Sequence, residues 1–300
     1  FTNIAKDEDS YKVLKAQMEL ALKNKDLSPE SVFGDSLSLT IYGHEARFAP
    51  MTLNTLKNVN YDRILQIWKE RFANPGQFVY YFVGNFDEAT LRPLIEKYIA
   101  SLPKGKAENW KDVPSYVNGK VANKFTRKSE TPKAIAFEFW HAPMAYTLEG
   151  DVLTDAAAQV LSMVYLKSIR EDASAAYSVS ASGKLRRLGN KAVAIVQGYC
   201  PMDPEKADLA VKLLAEGMKD NTVKMDADKV QKVKDLMLKN ADLAAKNNGY
   251  WMGILDDYIW SGVDFHTNYK KTVEAITPAK LAAHLKQIVA AGNHAEVVMT

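Results

Sequence analysis

The sequence is poor in the features that would settle a function at once. It has one cysteine, Cys200, in 300 residues. A lone thiol cannot close an internal disulfide or build a thiolate cluster. Its flanks, Gly198-Tyr199 and Pro201, read as a strand end, so the thiol is expected to be structural. No stretch approaches the ~18 consecutive apolar residues needed to cross a bilayer. The five histidines contain no pair at ligand spacing. His44-Glu45 opens like a metal motif but lacks the second histidine one helical turn along that a shared metal requires, and the preceding Tyr42-Gly43 points to a loop. No metal site is expected from this chain alone. Gly-x-Ser-x-Gly, the strained turn of one class of serine hydrolases, is missing, as are glycine-rich phosphate loops. Neither sign of charge is in excess: 39 Lys and Arg against 36 Asp and Glu leave a net +3, which gives no reason to invoke nucleic acid or an anionic membrane. The first residues, Phe1 to Lys6, carry neither an initiator methionine nor a basic-then-apolar leader, and read as a cut inside a longer protein.

What is present is ordinary globular material, 47% apolar and 25% charged, enough for a substantial core. Apolar spacing predicts helices over 11–24, 29–42 and 60–72, the last capped by Asn60. The β-branched and aromatic run Gln77 to Val83 predicts a strand, and Asp87 opens a helix that stops at Pro103. From 104 to 131 the text is charged, interrupted by Gly105, Pro114 and Gly119, and reads as a linker. Beyond it the pattern predicts a strand (Lys133 to Trp140), a long helix (Leu148 to Arg170) and two strands (Tyr177 to Leu185, Ala192 to Tyr199) with Arg186-Arg187 as the hairpin tip. Four helices come next (204–218, 227–246, 250–260, 278–291), then a last strand from Ala295 to Thr300. The aromatic run Tyr250 to Trp260 is expected to pack against the sheet, and a small part of it could line a peptide pocket.

The chain also repeats itself. Leu56-x-x-Val59-Asn60-x-x-x-Ile64 aligns with Val273-x-x-Ile276-Thr277-x-x-x-Leu281 at a constant offset (273 − 56 = 217). At the same offset Tyr80-Tyr81-Phe82 falls on Val297-Val298-Met299. A single long period means duplicated domains and not a solenoid, whose repeats run to roughly 20–50 residues. The fold expected is α+β, two homologous domains, each a mainly antiparallel sheet with helices on one face. Applied backwards, the offset puts the counterpart of the strand at Lys133 at position −84 (133 − 217), so the first domain is expected to be truncated at its N-terminus and to lack roughly its first eighty-odd residues. The boundaries read as 1–103 for the truncated domain, 104–131 for the linker and 132–300 for the second domain.

The most informative stretch is Ile169 to Val179. A helix hands over to a strand there, placing Arg170 near the helix end and Tyr177 at the strand start. In an arbitrary chain an arginine so placed serves the helix dipole and such a tyrosine packs. Here the Arg-x6-Tyr pair, Phe82-Val83-Gly84-Asn85-Phe86 and Ser101-Leu102-Pro103 together resemble the C-terminal half of the pitrilysin/insulinase (M16) family of zinc peptidases. The resemblance implies tandem α/β domains and a metal motif, His-x-x-Glu-His, that is absent from these residues. It further implies that zinc is bound by a preceding N-terminal half, which would be the chain's partner, and that the fragment alone is inactive. It assigns Arg170 to orienting substrate backbone and Tyr177 to donating to the oxyanion, with a peptide or small protein as substrate. No nucleic-acid or membrane partner is implied; the address implied is the periplasm or bacterial envelope. The same family contains metal-free assembly and processing subunits, so a non-catalytic peptide-binding or assembly role is the alternative.

Overall fold

The computed structural model describes residues 4–106, 116–128, 133–189 and 191–300. In chain order its helices and strands begin with α1 (Glu8–Asn24), α2 (Pro29–Ile41), α3 (Leu53–Lys57), α4 (Tyr61–Phe72) and α5 (Glu88–Tyr98). Then come β1 (Lys120–Phe125), β2 (Ala134–Pro143), α6 (Leu148–Tyr165), β3 (Ser180–Leu188) and β4 (Lys191–Met202). The order closes with α7 (Ala207–Asn221), α8 (Ala227–Ala244), α9 (Asn248–Ser261), α10 (Tyr269–Glu274), α11 (Pro278–Ala290) and β5 (Asn293–Met299). The elements fall into two units. One holds α1, α3, α4 and α5; the other joins α2 to everything from Tyr116 onward.

In the first unit, side-chain caps set the helix starts. Asp7 accepts from the Ser10 amide (2.9 Å), Asn60 from that of Arg63 (2.9 Å) and Asp87 from that of Thr90 (2.8 Å). Each satisfies an amide that the first helical turn leaves without a partner. Stacked rings at Tyr11–Tyr61 (4.3 Å) and Trp68–Phe72 (3.9 Å) supply much of the apolar contact. The strand expected at 77–83 does not form, and among the described residues this unit contains no strand. β-propensity measures how well a side chain fits a sheet already there, not a backbone preference, and this unit supplies no ladder for the run to join. The repeat survives in the helices: α4 and α11 start at Tyr61 and Pro278 (278 − 61 = 217).

The second unit is built on a five-stranded sheet of order β1-β5-β2-β4-β3. β1 runs parallel to β5 and every other pairing is antiparallel. Most of the stretch read as a linker lies outside the described residues or in coil, but Lys120–Phe125 within it is a strand. Its alternation of half-buried Val121, Asn123 and Phe125 with exposed lysines is the strand signal. β2 is buried over almost its whole length because both faces are covered. Ala134, Ala136, Trp140 and Ala142 join the cluster that contains α6, α7 and α11, while Ile135, Phe137 and Phe139 pack with Phe33 of α2 and with Tyr116. α2 thus covers the second face of the sheet, and Leu27–Pro50 cluster with the unit that holds it. An apolar sheet face exposes too much surface to stay open to water, and α2 closes it.

α6 lies on β3 at close quarters. Ala156, Ala157 and Ala158 are fully buried, and at Gly183 an added Cβ would collide with the Thr154 carbonyl oxygen and stand 2.8 Å from Ala158 Cβ. Gly217 on α7 leaves similar room for the ring of Tyr165, whose hydroxyl donates to the Leu214 carbonyl at 3.0 Å. Most polar groups inside this core are paired. The Thr154 hydroxyl donates to the Gly150 carbonyl (2.6 Å), leaving its oxygen to accept from His284 Nε2 (2.8 Å). Glu138, fully buried on β2, meets His294 of β5 through one carboxylate oxygen, while the other has no partner among the described residues. Burial pushes the Glu138 carboxyl up to about 7, against the opposing pull of His294.

This packing has two measurable outcomes. Gly183→Ala is expected to destabilise the chain by about 2 kcal/mol, because a helix backbone and not a flexible side chain must give way; denaturant unfolding measures it. Burial holds His284 down at about 4, against 6.5 for the free group. Between those values the unfolded chain binds more protons than the folded one, so stability falls as pH drops from about 6.5 toward 4. His284→Gln should flatten that fall by about 2 kcal/mol, after discounting for partial solvent access, and unfolding curves at stepped pH check it.

Candidate functional site

The helix expected to run to Arg170 changes its winding first. α6 ends at Tyr165 and Leu166–Asp172 continue as a π-helix. The Ala173 amide reaches back five residues to the Ser168 carbonyl at 3.1 Å. The wider turn inserts a residue and rotates the chain beyond it, a device frequent at functional sites. Chain direction then reverses at Ser174, which sits in the left-handed region with φ 47. Lys206 ties this bend down by donating to the Ser174 carbonyl (2.8 Å), and the Ala175 amide donates to the Ile169 carbonyl (2.8 Å). Ala176 forms an isolated bridge with Met202 at the end of β4. Tyr177 therefore precedes β3 by three residues, where the sequence suggested that it begins the strand.

The bend brings the two expected site residues together. The Arg170 guanidinium carbon lies 5.9 Å from the centroid of the Tyr177 ring, a cation–π contact worth about 0.5–1 kcal/mol at an exposed position. Neither side chain has a hydrogen bond or ion pair among the described residues. Tyr177 is 89% exposed, an uncommon place for a large ring, and its hydroxyl faces water. Both residues line an open groove of ≈ 870 Å³ that also takes in Tyr199, Met202 and Asp203. At its far side Lys133 donates to Glu30 (2.6 Å) and holds that carboxyl below its ordinary range. The groove thus presents a fork of guanidinium donors and a phenol O–H that no protein acceptor among the described residues satisfies. Such a pair can hold two oxygen atoms of one extended ligand.

β3 is the outer strand of the sheet. The Leu185 amide points away from β4, donating to the Asp151 carboxylate at 3.2 Å. Alternation in an antiparallel ladder turns the peptide groups of Ala181 and Gly183 the same way.

The groove does not fit a metal ion. None of its lining residues is a histidine or cysteine, the donors zinc prefers beside carboxylates. Among the described residues no cluster of three or more His, Cys, Asp and Glu could hold one. The histidines are otherwise engaged: His141 Nε2 with the Val117 carbonyl (2.8 Å), His266 with the Tyr250 hydroxyl (2.8 Å), His284 with Thr154, and His294 with Glu138. His44 stands in a turn at φ 61, not on a helix. Cys200 is fully buried, and burial pushes its thiol up to about 12. Two further expectations are revised. Arg186 and Arg187 lie within β3, bonded to the Tyr116 hydroxyl (3.0 Å) and the Trp260 carbonyl (2.8 Å), and do not form a hairpin tip. The aromatic helix α9 buries no residue fully and leaves Tyr258, Ile259 and Trp260 about half exposed, so it does not pack into the sheet.

The family described as "Peptidase M16 inactive domain" matches residues 58–237. A zinc protease PQQL-like protein of Arabidopsis thaliana is 23% identical over 133 residues, 42% of this chain and 14% of that protein. The periplasmic protease PqqL of Escherichia coli has a similar fold, with TM-score 0.79 and 20% identity over 98% of this chain and 33% of its own. A peptidase M16 inactive domain from Pseudomonas fluorescens gives 0.75 and 13% over 98% of this chain and 71% of its own. The chain thus spans about a third of PqqL's length and a smaller share of the plant protein's. With the matching residues covering more than half of it, the chain belongs to the peptidase M16 family.

Proposed function

We propose that this chain is the half without metal of a zinc-dependent endopeptidase and forms the substrate-binding wall of its cleavage chamber. The observation that carries the reading is the Arg170–Tyr177 pair, stacked at 5.9 Å beside an open groove with its donors unsatisfied by protein. Peptide hydrolysis turns a planar carbonyl into a tetrahedral oxyanion, and donors fixed in advance toward that charge lower the barrier. Tyr177 donates its phenol proton in a hydrogen bond to the oxyanion. Arg170 holds a neighbouring backbone carbonyl, keeps the substrate extended, and through its charge supports the phenol as a donor. The free edge of β3 adds main-chain hydrogen bonds, the strand-addition mode of peptide recognition.

Zinc belongs on another stretch of protein in this reading, because the groove offers it no imidazole or thiolate. Without that stretch the chain binds but does not cut. The proposed address is the bacterial envelope, on the likeness to a periplasmic protease.

In a protein carrying this chain together with a zinc-bearing half, Tyr177→Phe is expected to lower kcat about a hundredfold while KM stays within about threefold. Unchanged hydrolysis would remove the catalytic role and leave a peptide-binding or assembly subunit. Tyr177→Ala should move unfolding stability by less than about 0.5 kcal/mol, since so exposed a ring contributes little to the fold; thermal unfolding of the chain alone tests this.

A further inference from the structure

A second cavity lies at the opposite end of α6, near its first turn. It has a volume of ≈ 260 Å³ and is lined by the rings of Tyr146, Tyr250, Phe265 and Tyr269 and by the carboxylates of Asp151 and Asp257. Phe265 is buried and its ring centroid stands 5.2 Å from that of Tyr146. The Tyr146 hydroxyl donates to Asp257 Oδ1 at 2.6 Å, and the Leu185 amide takes Asp151 Oδ1. The second oxygen of each carboxylate is left without a protein donor among the described residues.

The charge is unbalanced. Burial, helped by Asp155 and Asp151, pushes the Tyr269 phenol up to about 12. Burial is also the first cause lifting the Asp151 carboxyl to about 6, with Asp155 and Asp257 adding to it and Lys184 opposing. Lys184, itself exposed, is the only cationic side chain lining the cavity. A negative, partly desolvated pocket with aromatic walls has the composition that recognises ammonium groups: ring faces attract the cation and carboxylates accept its N–H bonds. The volume excludes large ligands and admits an ammonium on a short aliphatic stem.

We propose that this cavity binds a primary alkylammonium group. The group comes either from a small free amine or from a lysine side chain of a peptide. The second source has a geometric basis, since Lys184 and Leu185 of β3 line the cavity and β3 is the outer strand of the sheet. The binding site itself does not depend on the peptidase reading, because neither Arg170 nor Tyr177 takes part.

The test is calorimetric titration of the chain with n-butylammonium in amine-free buffer at about pH 8, where the carboxylates are charged. Saturable binding is expected, with n-butanol at least about tenfold weaker because it lacks the charge. Asp257→Asn keeps an acceptor for Tyr146 and so should fold, and it should weaken binding about tenfold. Lys184→Met should strengthen binding about threefold by removing the competing cation. A blocked Ala-Lys-Ala peptide beside its norleucine counterpart separates the sources: preference for the lysine peptide assigns the site to a peptide side chain, and binding of n-butylammonium alone assigns it to a free amine. Absence of n-butylammonium binding, equal binding of n-butanol, or unaltered affinity in a folded Asp257→Asn chain would overturn the proposal. Peptide hydrolysis is not read in any arm, so failure here leaves the Tyr177 experiment untouched.

Discussion

The approach of α6 to β3 at Gly183 governs the second unit. With only hydrogen at that position, the helix backbone comes into contact with the strand backbone, and three consecutive buried alanines keep the surface smooth enough for it to do so. The helix then runs on into the π turn that carries Arg170, while the strand extends back toward Tyr177. Because the two elements are pressed together, the bend between them has to be short and sharply folded, and it is held by Lys206 and by the bridge from Ala176 to Met202. The pair thus sits where two elements in backbone contact at Gly183 and Thr154 are joined by that bend.

Much of this was legible in the residues. Helices with a cap and a clear apolar stripe, such as the one opened by Asn60, could be read directly, because both signals are local. The handover from helix to strand after Arg170 was equally local, although the strand begins at Ser180 and not at Tyr177, and the family words around it supplied the role proposed for the pair. Three things were not readable. The π turn depends on how α6 meets its neighbours, and no residue type marks it. The run from Gln77 to Val83 has strand chemistry but no ladder among the described residues, and a strand exists only with its partner. The cavity beneath Tyr146 is assembled from the first turn of α6, the middle of β3 and α9. Asp151 and Asp257 each look like ordinary helix-surface acids until tertiary structure half-buries them side by side.

The unit is polarised along α6. From Asp151 to Arg170 the helix and its extension cover roughly 28 Å at the usual rise per residue. One end is a cationic fork with a phenol; the other is an anionic, ring-walled pocket, and the open edge of β3 connects them. Elsewhere in the core the buried histidines are bonded internally, and the buried carboxylate of Glu138 meets His294 through one oxygen. Protein stability thus rests on the sealed interior, and the two proposed sites lie at the two ends of a single helix and beside one strand.

Cys200 has a practical consequence of its own. The chain's single thiol is sealed and held in its protonated form, so maleimides and other thiolate-seeking reagents have no native target in the folded state. A cysteine introduced at an exposed site becomes a unique chemical handle without any prior mutation of the natural one. Dyes or spin labels attached on either side of the Tyr177 groove can therefore report its width in solution from the otherwise unaltered sequence.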